Sequence, residues 1–474
     1  MSESASDRNM LDLAYPSVRQ DDGYTCSVGP LSDRTDAGYV WQYWIPWMAM
    51  ADRQQLQLRP LDRVLAEGRP FVFPLEFRWE FIDWFARGMD AALFGTPHIP
   101  PSVLNASRAG KAVILMFFGH EGRRLEYVCS GQKRSAYDLI LDFMRRHGLP
   151  QGSVWFVNGN LTGRSEYNAW KCQRFGSANV PDLFETRFVE PFSYLFQAMQ
   201  RMREAGFDLT LEHKSKNSSQ GFYLHEMTRL VLEPSARETN VSNVEPIRKA
   251  NKLPPKLFLC MNRQPHKHRR AIVCYLLYRG FLQHSLVSFR DDSPAPDCCD
   301  GVEMKAAWKE LQKLLPLTID NDLPLEFEAY FRDNAAVVKI GELWPYRDTC
   351  FSIVTETLFC NDRMFVSEKL WKPIMIGHPF VVMGTPGTLA YLHSQGFKTF
   401  APTIDENYDT QVNDEDRIHA LIKTIDALGS LDDSKRLALL EKLQPIVTHN
   451  MRLFRQLRLP MARVWDDIGA QLAA

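Results

Sequence analysis

Apolar runs that stop at glycine or polar turns and alternate with amphipathic segments constrain this chain more than any other feature. Residues 111–122, KAVILMFFGHEG, form a continuous apolar run ended by Gly-His-Glu-Gly. Residues 152–161, GSVWFVNGNL, form a second, ended by Asn-Gly-Asn. Between them, residues 135–150, SAYDLILDFMRRHGLP, carry helical spacing and a Gly-Leu-Pro exit. Strand, helix, strand with uninterrupted apolar strands predicts a parallel sheet covered on both faces.

The pattern restarts after a polar stretch. KLFLCMN (256–262) reads as a strand, HRRAIVCYLLYRG (268–280) as a helix closed by Gly280, SLVSF as a strand and MKAAWKELQKLLP (304–316) as a helix. CFSIVTE (350–356) and PFVVMG read as strands, a helix follows Ser367, TPGTLAYLHSQG is a helix, and TFAP (399–402) a short strand. Residues 1 to about 35 read as loosely structured. Strands at 69–77 and 207–213, and helices at 79–95 and 191–206, complete the first half. The expected fold is α/β: two Rossmann-like doubly wound domains facing a cleft, with a helical C-terminal tail. The boundaries are 1–250, 251–414 and 415–474. Ligands of such sheets bind beyond the carboxyl ends of the strands.

Composition narrows the function classes. A net charge of −1 over 474 residues gives no global field toward nucleic acid or membrane. Nine cysteines without C-x-x-C or zinc spacing fit a reducing compartment. The N-terminus has no signal-peptide pattern and no run is long enough for a membrane span, so a cytoplasmic protein is expected.

The stretch SEKLWKPI (367–374) sets a charged entrance on a helix. Ser367 suits an N-cap. Glu368 complements the helix dipole, whereas Lys369 opposes it unless an anion also sits there. A solvated lysine is the plain alternative, and Pro373 allows a helix start near Trp371 or Lys372. Residues 256–290 add Lys256, Arg263, Lys267, Arg269, Arg270, Arg279 and Arg290, with three histidines and no carboxylate. Arg263 follows a strand and precedes a helix. Cations gathered there suit a diphosphate; a solvated basic face is the competing account. GTPG (384–387) reads as a strand-to-helix turn, and neither a P-loop nor a G-x-G-x-x-G is present.

FVSEKLWKPIMIGHPFVVMG resembles the donor-binding motif of α-1,3-fucosyltransferase-like enzymes, and LFLCMNRQPHKHRR resembles the strand and arginine loop that opens their C-terminal domain. Related bacterial and phage glycosyltransferase-like proteins share NR…HR and SEKxWKPI…GHPF. The likeness spans roughly residues 256–402. It implies a two-Rossmann-domain (GT-B) nucleotide-sugar glycosyltransferase. Glu368 would contact the ribose, and Lys369 and Arg263 the diphosphate. Asn262, Arg269, Glu356, Ser367 and Lys372 complete the implied donor set. Lys372-Pro373 and the histidines at 266 and 268 depart from the fucosyltransferase pattern.

Glycosyl transfer needs a stabilised leaving diphosphate and a base for the acceptor hydroxyl. Glu121 or His120, at the end of the 111–118 strand, is the candidate base, ahead of Asp22, Asn158 and His213. A solvated loop pair is the ordinary account of both. The expected partners are a nucleoside-diphosphate sugar and an unidentified acceptor, whether glycan, small molecule or modified DNA base. No cofactor is called for and a metal-independent reaction is expected. Asp320/Asp322 and Asp414/Asp416 are the Asp-x-Asp patterns that would matter if a divalent cation assists. A non-catalytic nucleotide- or glycan-binding module is the other class.

Overall fold

The computed structural model describes residues 11–15, 17–20, 23–26, 56–76, 99–118, 122, 125–129, 132–194, 197, 252–262, 265–290, 302–319, 344–457 and 460–474. They form an α/β protein in two compact units, Met1–Thr239 with Arg458–Ala474, and Asn240–Leu457. The three helices that end the chain therefore divide between the units.

The first unit holds a six-stranded sheet of β1 (Leu11–Tyr15), β4 (Leu56–Pro60), β5 (Phe71–Glu76), β6 (Ala112–Phe118), β9 (Val154–Asn158) and β10 (Glu185–Phe188). Its order is β10-β9-β6-β5-β1-β4, and all five pairings are parallel. Two small antiparallel hairpins lie outside it, β2 (Ser17–Gln20) with β3 (Gly23–Cys26) and β7 (Glu126–Cys129) with β8 (Gln132–Ser135).

Every residue of β6 is buried, as a strand covered on both faces requires. Ile114, Met116 and Phe118 pack with Tyr137, Ile140, Phe156, Tyr167 and Trp170 on one face. Each fully buried large apolar side chain of this cluster contributes about 1.5–3 kcal/mol. Helix α3 (Ala136–His147) starts with a reciprocal Ser135/Asp138 capping box and ends at Gly148 with φ 58°, the left-handed conformation glycine adopts without strain. The final helix α12 (Pro460–Ala473) joins this unit through Trp155, whose indole donates to Gln471 at 3.0 Å, and through the Arg187–Asp467 ion pair at 3.0 Å.

The reading of residues 1–35 as loose is corrected by β1, an inner strand of the sheet. LDLAY escapes a local reading because Asp12 interrupts the apolar run. Asp12 is 1% exposed, and it is held by Arg69 at 2.8 Å and Arg59 at 3.7 Å, both distant in sequence. Pro74 is tolerated in β5 because the β1 pairing reaches only Val72. The segments 79–95, 207–213 and most of 191–206 lie outside the described residues.

The second unit is built on β12 (Leu286–Ser288), β11 (Lys256–Met261), β13 (Thr349–Thr355) and β14 (Phe380–Met383), in that order and all parallel. Around it lie helices α5 (Lys267–Tyr278), α6 (Val302–Leu314), α8 (Glu368–Ile376), α10 (Asp414–Gly429) and α11 (Asp433–Gln456). Trp371 of α8 is anchored between ring contacts to Phe397 at 5.5 Å and to Phe454 of α11 at 5.8 Å.

Helix α8 begins at Glu368 with Ser367 as N-cap, so Pro373 lies inside it. The missing N–H withholds a donor only from the Lys369 carbonyl, in a helix that ends three residues later at Ile376 and is capped by Gly377 (φ 73°). Residues 399–402 form no strand. The Phe400 and Ala401 amides donate to the Glu406 carboxylate at 2.7 and 3.2 Å, which removes them from any ladder, and Pro402 has no amide to offer.

Candidate functional site

In the second sheet, counted along the chain, the second strand flanks the first on one side and the third and fourth lie on the other. The direction of winding reverses between β11 and β13, which is where open parallel sheets open a crevice at their carboxyl ends. Asn262 directly follows β11, Glu356 follows β13 and Gly384 follows β14.

Asn262 is buried and ties three strands together. Its amide donates to the Ser288 carbonyl at 3.0 Å, its side-chain oxygen accepts from Thr355 Oγ1 at 2.5 Å, and its Nδ2 donates to Cys260 Sγ at 3.1 Å. Burial pushes that thiol up to about 11. Arg269, also buried, sends Nη2 to the carbonyls of Thr355 and Glu356, each at 3.2 Å. His268 donates Nε2–H to the Glu356 carbonyl at 2.9 Å. Burial, then the Arg269 charge, holds its imidazole well below the ordinary range, so it is neutral. The His268 ring stacks on Phe359 at 4.7 Å, and the Arg417 guanidinium lies 4.0 Å from the centre of the same ring.

Glu356 is fully buried. Its Oε1 accepts from the Ser367 amide at 3.1 Å, while Oε2 has no partner. Desolvation raises this carboxyl above its ordinary value, against the pull of Lys369. Gly384 wraps it so closely that a Cβ there would stand 3.3 Å from Glu356 Cγ. Glu368 goes the other way. Burial raises it, but Lys369 and then Lys372 outweigh burial and hold it below the ordinary range. Lys369 Nζ donates to Glu368 at 2.8 Å, to Thr357 Oγ1 at 3.3 Å and to Ser367 Oγ at 3.4 Å. Burial lowers the half-buried Lys372, opposed by Glu368.

The structure thus brings Asn262, Arg269, Glu356, Ser367, Glu368, Lys369 and Lys372 to one end of one sheet. It also alters the argument for an open anion site. The Ser367 amide serves Glu356, the Lys369 amide serves Ser367 Oγ at 3.3 Å, and the Leu370 amide serves the Ser367 carbonyl at 3.2 Å. Glu368 bonds its own amide. The misplaced cation already has an anion, Glu368.

The basic run finds its missing acids on α10. Arg279 pairs with Asp426 at 2.5 Å, and Lys267 stands 3.8 Å from Glu415. The GTPG turn is likewise self-sealed. The Asp409 carboxylate accepts from the Leu389 amide at 3.0 Å and is pushed up to about 6 by burial. Asp414 and Asp416 belong to a helix start capped by Asn413, with Asp414 paired to Arg417 at 2.7 Å. Asn158, in the first unit, is buried and its Oδ1 accepts from the Asn160 amide at 2.7 Å, which shapes the turn after β9.

His120, Glu121, Arg263, Asp22, His213, Asp320 and Asp322 lie outside the described residues. Among the described residues no group of three or more His, Cys, Asp or Glu could hold a metal ion, and no helix is long and apolar enough to cross a membrane. Residues that sequence reasoning missed are Thr357, Phe359, Gly384 and Arg417. Arg417 carried a signal, its spacing from Asp414 on one helix face.

No family model matches the chain, and no curated protein or solved structure matches it either.

Proposed function

We propose that this chain is a glycosyltransferase that moves a sugar from a nucleoside-diphosphate sugar to a hydroxyl acceptor. The observation that carries the reading is the Glu368–Lys369 pair, set with Lys372 at the N-terminus of α8, at the switch point of a parallel sheet. Lys369 and Arg263 would take the diphosphate and stabilise it as the leaving group, so that no metal is required of the step. Glu368, released from Lys369, would accept from sugar or ribose hydroxyls. Glu121 or His120 is the proposed base for the acceptor proton.

The test is a thermal-shift screen against UDP, GDP, CDP, ADP and TDP and their sugars. A ligand at 100 times its dissociation constant stabilises by about 2.7 kcal/mol. Lys369→Ala is expected to abolish the shift, while Glu121→Gln or His120→Ala keeps the shift and stops turnover. A melting temperature unmoved by every donor refutes the reading. A binding module without turnover is the second reading, and the self-satisfied first turn of α8 favours it. Donor that binds but survives long incubation with every acceptor class would establish it.

A further inference from the structure

Residues 357–361 lie just beyond β13. They carry Thr357, whose hydroxyl accepts from Lys369 Nζ at 3.3 Å. They belong to no strand or helix, and among the described residues they make no backbone–backbone hydrogen bond. A segment without ladder bonds sits at the low-stability end of a fold, so its place is set by what its side chains touch.

Besides Lys369, two residues from outside the loop reach it by hydrogen bond or ring contact among the described residues. His268 stacks on Phe359 with ring centres 4.7 Å apart and planes 24° apart. Arg417 lays its guanidinium 4.0 Å from the centre of the same ring and donates Nη1 to Asn361 Oδ1 at 3.1 Å. Both residues are themselves fixed. His268 donates to the Glu356 carbonyl at 2.9 Å. Arg417 is buried, its Nη1 donates also to the carbonyls of Gln411 and Val412 at 2.8 and 3.2 Å, and its Nη2 pairs with Asp414 at 2.7 Å. Those local bonds at the start of α10 already answer the charge. The contacts to Phe359 and Asn361 are additional, and they reach a loop far along the chain. Arginine suits this double use, because its planar fork stacks on a ring while its edge donates.

We infer that Arg417 is a positioning residue of the crevice: by gripping Phe359 and Asn361 it holds Thr357 where the hydroxyl meets Lys369. The inference rests on reading the crevice as a phosphate site and is independent of glycosyl transfer. Lys369 Nζ donates to Glu368 at 2.8 Å, to Thr357 at 3.3 Å and to Ser367 Oγ at 3.4 Å. Of these partners only Thr357 comes from outside α8 and its cap. A phosphate must take the ammonium from Glu368, and Thr357 then remains to orient it from the side of β13. When residues 357–361 shift, that support goes and the ammonium stays with Glu368. A site group loses much of its effect when the contacts that support it are loosened.

The experiment is calorimetric titration with pyrophosphate on the wild type, Phe359→Leu, Arg417→Met and the double variant. Phe359→Leu alters no charge, so its effect reads position and not field. Each single variant is expected to bind pyrophosphate about tenfold more weakly, and the double variant little more weakly than either, because contacting residues that act together are not additive. Single effects that multiply in the double variant overturn the inference. So does a coupling that appears in urea unfolding and not in pyrophosphate affinity, which is the mark of a merely structural staple.

Alkylation of Cys360 by iodoacetamide, followed by peptide mass spectrometry, reads the segment directly. Its thiol is half-buried between Phe359 and Asn361 in sequence and donates to the Arg363 carbonyl at 3.6 Å. It should react faster in the folded variants than in the wild type, and an unchanged rate overturns the inference. If Arg417→Met does not fold, Phe359→Leu, which leaves the hydrogen bonds of Arg417 in place, decides alone by the same two readings. Failure of pyrophosphate to bind the wild type overturns the inference together with the diphosphate reading. Pyrophosphate binding with this coupling but no nucleotide-sugar turnover removes glycosyl transfer alone. Nucleotide-sugar binding of equal strength in all four proteins removes the present inference alone.

Discussion

Asp409 looks like a stabilising anionic cap, yet the physics of its site predicts the reverse. It is 8% exposed and accepts from the amide of Leu389 at the start of helix α9 (Thr388–Ser394). Those amides favour the carboxylate, but burial outweighs them and Glu406 adds repulsion, so the group sits at about 6 against an ordinary 3.8. That displacement corresponds to about 3 kcal/mol in favour of the protonated form. Its folded value lies above its unfolded value, so the stabilisation it gives is complete below about pH 4 and is lost as pH rises through about 6. Asp409→Asn cannot ionise and avoids the loss. Urea unfolding at pH 4 to 8 should show the stability of the variant rising relative to wild type by about 2–3 kcal/mol across that window, whatever offset separates them at pH 4. A gap that is flat with pH, or one that turns against the variant as pH rises, refutes the reasoning and makes Asp409 an ordinary charged cap.

Two further substitutions test the packing. Asp12→Ala removes the carboxylate between Arg69 and Arg59; Arg59 keeps Glu67 at 2.6 Å, so the expected loss is the lower end for a broken buried pair, about 3 kcal/mol, and a loss under about 1 kcal/mol in denaturant melts counts against Asp12 as the internal anion of β1. Gly429→Ala would place its Cβ 2.6 Å from the Phe281 ring; about 1–3 kcal/mol of overpacking is expected, read as a lower melting temperature, and restoration by a second change, Phe281→Leu, attributes it to the clash.

Sequence reading succeeded mostly where the cause is local, the strand expected at 399–402 being the exception. The runs of β6, β9, β11, β13 and β14 announce buried parallel strands because all their residues but the two ends of β11 are buried. Gly148, Gly280 and Ser367 announce helix ends because capping is settled within four residues. It failed wherever the partner lies far along the chain. Nothing near LDLAY foretells Arg59 and Arg69. Nothing in the basic run of 256–290 foretells Asp426 or Glu415, and nothing in GTPG foretells Asp409.

The same distinction governs the candidate site. Read locally, Ser367-Glu368-Lys369 suggests a helix N-terminus waiting for an anion. In the fold, Glu356 fills the Ser367 amide and Glu368 fills both its own amide and the lysine. A phosphate entering here meets internal carboxyls already in its place, so its affinity is the difference between two sets of similar bonds and not the sum of one. The two internal carboxyls are unequal competitors. Glu368 is held below its ordinary value by Lys369 and Lys372, whereas burial raises Glu356 above its own. Under the proposed function, discrimination among anions would rest on what each ligand returns to Glu368 once Lys369 has left it. A ligand that carries hydroxyl donors beside its phosphates can satisfy that carboxylate, and bare phosphate cannot.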